Sequence, residues 1–101
     1  MQVKDELNSL LYKKLFWIKN QIETVSTNIS RYDLSGATRK EIAPFEQFLK
    51  KGKVEEVNKK DEIKREMEML HLNKATINHE ETVELIKAFR HFPKSVLSSN
   101  F

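Results

Sequence analysis

Between Leu11 and Ile29 the apolar residues Leu11, Leu15, Ile18, Ile22, Val25 and Ile29 recur at intervals of four, three, four, three and four. A strand repeats every two residues, so this alternation is the signature of one stripe on an α-helix. Val3, Leu7 and Leu10 carry the pattern back to the start and predict a single helix over Val3–Ile29. Such a helix is about 40 Å long at 1.5 Å per residue, comparable with the whole width of a domain of this size. It must be the spine of the fold or protrude from it.

The first half of that helix is apolar nearly all round. Leu7, Leu10 and Trp17 widen the stripe on one side, while Tyr12 and Phe16 fall on almost the opposite surface. After Ile18 the stripe narrows and the back is polar, with Lys19, Asn20, Glu23, Thr24, Ser26 and Thr27. The first half therefore needs more neighbours than the second.

Two Gly and two Pro in 101 residues are too few for the regular turns of a β-rich domain. The expectation is an all-α fold of four to five helices, with the long N-terminal helix as the spine of a small helical bundle. Residues 1–93 form a single helical domain and 94–101 a tail that can dock through Val96, Leu97 and Phe101. Ser30 to Gly36 reads as a connection. Thr38 is an expected N-cap, with Glu41 completing a capping box. Pro44 kinks or restarts that helix, Phe45, Phe48 and Leu49 form its apolar face, and Gly52 ends it. Val54 and Val57 continue at helical spacing, then Asp61–Leu72 forms a helix with Ile63, Met67 and Leu70 as its face. A last helix starts at Asn78, with Glu81 closing a second capping box. Its face is Val83, Leu85, Ile86, Phe89 and Phe92, and it stops at Pro93.

Several chemistries lose their footing. No Cys is present, which removes disulfides, thiolate metal sites and cysteine nucleophiles and suits a reducing cytosol. Charged residues interrupt every apolar run before the roughly 18 residues of a membrane span, so a soluble, cytoplasmic protein with no membrane contact is expected. His71, His79 and His91 share no i, i+3 or i+4 spacing, and Asp33-Leu34-Ser35-Gly36 lacks the carboxylates of a calcium loop. With glycines only at 36 and 52 there is no phosphate-cradling loop. The expectation is no enzyme, no cofactor and no metal site.

The 18 basic and 15 acidic residues leave a charge of +3, and the surplus sits in the middle. Residues 31–60 hold eight basic side chains, Arg31, Arg39, Lys40, Lys50, Lys51, Lys53, Lys59 and Lys60, against five acids. Pro44 to Lys51, a turn at Gly52 and Lys53 to Lys60 have the layout of a helix-turn-helix, although Glu55 and Glu56 would sit beside phosphates. A nucleic-acid-binding transcriptional regulator using these eight residues is the alternative reading, and not the favoured one.

The favoured reading rests on aromatic residues. Phe45, Phe48, Phe89 and Phe92 lie on the sole apolar faces of their helices and are expected in the core. Tyr12 and Phe16 form an apolar island among Asp5, Ser9, Lys13, Asn20 and Glu23, and such an island receives either the chain's own end or another protein. Leu11-Tyr12-Lys13 resembles the Leu-Tyr-Arg signature of small mitochondrial assembly factors, basic helical proteins whose first helix engages acyl carrier protein and a client. Phe48-Leu49-Lys50-Lys51 resembles their downstream Phe with basic neighbours. The resemblance implies protein binding through the first helix; with Lys13 in place of Arg and a longer interval between the two elements, it assigns no membership.

The sequence thus points to a non-enzymatic protein-protein interaction module, a small regulator or inhibitor of a larger protein. Its size and Lys/Asn/Glu/Ile-rich usage suit a phage or mobile-element product acting on a host protein. Tyr12, Phe16 and Trp17, with Lys13 and Lys14 at the rim, are the expected docking residues. The Leu11–Ile29 seam is expected to pack on the chain's own helices or in a homodimer.

Overall fold

The computed structural model describes residues 3–91, with side chains from Asp5 onward. Along the chain run α1 (Val3–Arg31), β1 (Thr38–Ile42), α2 (Phe45–Lys51), β2 (Glu56–Glu62) and α3 (Arg65–His91). The expected tail at 94–101, with Phe92 and the stop at Pro93, lies outside the described residues.

The all-α expectation is overturned. Among the described residues there are three helices and a two-stranded antiparallel sheet, an α+β layout rather than a helical bundle of four to five helices. Helices α1 and α3 form a long antiparallel pair: Asn28 near the end of α1 meets Glu68 near the start of α3, and Tyr12 meets Arg90 at the other end. Strand β1 runs back along α1 from Asn28 toward Trp17, and α2 is inserted between the two strands.

Helix α1 ends at Arg31, two residues past the expected Ile29. Its seam packs on α3 of the same chain, with Ile18 and Val25 buried. Its polar back stays helical because Asn20, Thr24 and Thr27 return hydrogen bonds to the carbonyls of Phe16, Asn20 and Glu23, four residues earlier, at 2.8–3.0 Å.

The stretch expected to open a helix at Thr38 is a strand instead. The spacing Thr38-x-x-Glu41 fits a capping box, but Arg39 and Glu41 are two apart and pair with one another, which needs the shared face of a strand rather than a helix. Strand β1 pairs with β2 in the register Lys40↔Asn58, Glu41↔Val57 and Ile42↔Glu56, with an irregularity between Thr38 and Lys40. Ala43 extends the ladder by donating to the Glu55 carbonyl at 2.8 Å. The segment expected to form the second helix of a helix-turn-helix is therefore β2, and the chain has no recognition helix there. All seven residues of β2 are exposed, and charges at Glu56, Lys59, Lys60, Asp61 and Glu62 discourage pairing along its free edge.

The two expected helices Asp61–Leu72 and Asn78–Pro93 are one continuous helix, α3. Asn78 lies inside it, where its carbonyl accepts from the Thr82 hydroxyl at 2.8 Å, so it caps nothing. No Gly or Pro interrupts residues 65–91, and packing along α1 carries the helix through its polar middle. Ile63, just before α3, is buried, but Met67 and Leu70 point outward. Of the expected second face, Ile86 is buried, Val83 and Phe89 are half-buried, and Leu85 is exposed. The enclosed positions within α3 are Glu68, Ala75, Thr82 and Ile86, spaced by seven, seven and four.

Candidate functional site

Two places gather chemically interesting side chains. The first is a polar clasp where α1, β1 and α3 meet. The Asn28 side chain is fully buried; its amide donates to the Lys40 carbonyl at 2.8 Å and accepts from the Lys40 N–H at 2.9 Å. One side chain thus satisfies both backbone groups of a residue on the inner edge of β1, as a neighbouring strand would. Its Nδ2 also reaches Glu68 Oε2 at 3.2 Å, and Glu68 Oε1 accepts from Arg39 Nε at 2.7 Å. Arg39 continues to Glu41, which stands 3.6 Å from Lys59 on β2. Glu68, fully buried, has both oxygens occupied, as a buried charge requires. His71 lies beside this chain, lining clefts with Arg39 on either side.

The hydrogen bond from Arg39, aided by the positive charges of Arg39 and Lys59 and opposed by partial burial, holds the Glu41 carboxyl below its ordinary value. Arg39 is pushed above its ordinary value: burial works against its charge, and the bonds to Glu41 and Glu68 outweigh that. For a carboxyl depressed in the folded state, the stabilisation is complete above the unfolded pKa and disappears as pH falls through the lower folded one. Wild type is therefore expected to melt higher than Glu41→Gln at pH 7, with the gap closing on acidification below about pH 4.3. Thermal melts across that window check this; a gap that stays constant into strong acid would count against it.

The second place is aromatic. Pro44, with extended backbone, leads directly into α2, and the preceding Ala43 carbonyl accepts from Trp17 Nε1 at 2.9 Å. That bond fixes α2 over α1 and brings four rings together: Trp17 to Phe45 at 5.7 Å, Phe45 to Phe48 at 6.0 Å and Phe48 to Phe16 at 5.9 Å between centroids. Trp17, Phe45 and Phe48 are half-buried, whereas Phe16 is 54 % exposed, Tyr12 44 % and Leu49 43 %. Tyr12 lies one turn before Phe16, and its hydroxyl accepts from Arg90 of α3. Lys13 is exposed and Lys14 half-buried.

No protein-family model, curated protein or solved structure matches the chain. Its own geometry is what speaks for function.

Of the expected docking residues, Tyr12 and Phe16 stand on the surface, while Trp17 faces inward as the anchor of α2. Of the residues that apolar spacing assigned to a buried helix face, Leu49 is exposed and Phe48 is half-buried with its ring against Phe16; nothing in their spacing from Pro44 signals this. The eight basic residues do not form one cluster of free cations. Arg39 is in the clasp, Lys40 pairs with Glu56 at 3.1 Å, Lys51 with Glu55 at 2.9 Å, and Lys59 with Glu41. The Lys51 hydrogen bond holds Glu55 below its ordinary value. Arg31 is half-buried with its Nη1 enclosed, and Lys50, Lys53 and Lys60 are exposed. Among the described residues no group of three His, Cys, Asp or Glu could hold a metal ion, and no helix is long and apolar enough to cross a membrane.

Proposed function

We propose that the chain is a non-enzymatic binding module that regulates or inhibits a larger protein through the surface of Tyr12, Phe16, Phe48 and Leu49. The observation that carries this is the Phe16 ring: more than half exposed, yet packed on Phe48 of another element. Aromatic rings held rigidly at a surface lose little entropy on binding and dominate interface energies. Lys13, Lys14 and Lys50 near this patch favour a partner with acidic residues around an apolar centre.

The test compares wild type with Tyr12→Ser/Phe16→Ser as bait in cells of the source. Both side chains are about half exposed, so the melting temperature is expected to stay within a few degrees, an effect of about 1 kcal/mol or less. The partner retained by wild type is expected to be lost. Equal retention by both proteins, or collapse of the fold in the variant, would remove the reading. The nucleic-acid alternative requires duplex DNA binding that weakens steeply with salt; the pairing of Arg39, Lys40, Lys51 and Lys59 with carboxylates weighs against it.

A further inference from the structure

Arg90, in the last turn of α3, is exposed and has a single partner among the described residues, the Tyr12 hydroxyl, to which its Nη2 donates. A phenol takes up one N–H and leaves the charge in place. Arg39, by contrast, has its charge met by Glu41 and Glu68. The nearest acid of α3, Glu84, stands six residues before Arg90 and meets Lys87. On α1, Lys13 and Lys19 are exposed, three residues before and after Phe16, and neither joins an ion pair among the described residues. The nearest acids of that helix, Glu6 and Glu23, lie six residues before Tyr12 and seven after Phe16, about 9 Å or more along the axis, where salt already screens surface charges. On α2, Glu46 and Lys50 flank Leu49 and offset one another, and Lys51 is taken by Glu55. The unmatched positive charge at the aromatic surface is therefore Arg90, Lys13 and Lys19.

We propose that Arg90 reads a carboxylate on the partner, so that the segment seated on Tyr12, Phe16, Phe48 and Leu49 is acidic and sets an Asp or Glu beside its apolar anchor. The assignment rests on the binding surface proposed above and names the chemistry of what that surface takes. The planar fork of a guanidinium matches the two oxygens of a carboxylate, and the bond to Tyr12 holds the fork at the rim of the rings before anything binds. Holding it there removes part of the entropy that an arginine side chain otherwise loses on association. The apolar anchor packs on Phe16 and keeps water from the neighbouring ion pair, which strengthens it over a fully exposed one. Lys13 and Lys19 add attraction without a fixed geometry. A neutral or basic segment covers the same rings but leaves the fork unmet, so Arg90 determines specificity where the rings supply area.

Random dodecapeptides displayed on phage and selected on the full chain supply the probe. Peptides retained by wild type and lost on Tyr12→Ser/Phe16→Ser are expected to carry Asp or Glu within a few residues of an aromatic or aliphatic side chain. For one such peptide, Arg90→Gln is expected to raise the dissociation constant about tenfold, and Arg90→Lys to recover only part of the loss. Replacing the peptide's acid by its amide is expected to cost wild type the same factor and Arg90→Gln nothing, a coupling that a merely structural role for Arg90 does not produce. Retained peptides without acids, or an Arg90→Gln chain that weakens acid and amide peptides alike, overturn the proposal and leave the surface standing. Retention that survives Tyr12→Ser/Phe16→Ser, or no retention at all, removes the surface itself.

Discussion

Glu68→Ala is expected to lower the unfolding free energy by about 3 kcal/mol in urea titrations followed by circular dichroism. The substitution leaves Arg39 without its buried partner and takes from Asn28 one of its acceptors, and both stay where water reaches them poorly. The figure lies at the lower end for a broken buried pair because Arg39 retains Glu41 and is 15 % exposed. Against a total of about 5–15 kcal/mol for an ordinary domain, that is enough to bring the chain near its limit. Removing both charges tells a different story: Arg39→Met/Glu68→Leu is expected to regain most of the loss, since desolvating the ions offsets much of their attraction. A loss under about 1 kcal/mol for Glu68→Ala would mean that the clasp holds nothing together.

The second large effect belongs to Trp17. Trp17→Ala is expected to cost about 3 kcal/mol and to lower the melting temperature by about 12 °C or more, because it removes both the ring against Phe45 and the donor to Ala43. Trp17→Phe keeps a ring and loses only the hydrogen bond, about 1 kcal/mol. The comparison with Tyr12→Ser/Phe16→Ser separates two roles that neighbouring aromatic residues play on one helix. If Trp17→Ala melts like wild type, α2 is not anchored through this residue, and Phe48 and Leu49 are not held beside Phe16.

The helix pair shows where reading a sequence by apolar spacing works and where it stops. Leu11 to Ile29 is legible because six large apolar residues mark the stripe. The matching stripe on α3 is Glu68, Ala75, Thr82 and Ile86, a carboxylate, a methyl group and a hydroxyl before the first large apolar residue, so hydropathy cannot find it. The conspicuous apolar residues Met67, Leu70, Ile77 and Leu85 are those that face outward. The sheet was hidden for a related reason. Strand β2 is exposed throughout and has no apolar face to betray it. Strand β1 is held by Asn28, whose side chain reaches the Lys40 backbone across the connection between α1 and the sheet, a separation that no local pattern records. The candidate site was half legible. Tyr12 and Phe16 stand out as an island on α1, whereas their neighbours Phe48 and Leu49 come from α2, whose position depends on the strands around it.

The Asn28 clasp has a chemical consequence. Lys40 asks for a donor and an acceptor side by side, and among the side chains of that length only a primary amide carries both. Hydrolysis of this one amide to the acid, an ordinary ageing reaction of asparagine, would set a carboxylate against the Lys40 carbonyl and the Glu68 carboxylate. One reaction would then weaken the hold of α1 on the sheet and on α3 together.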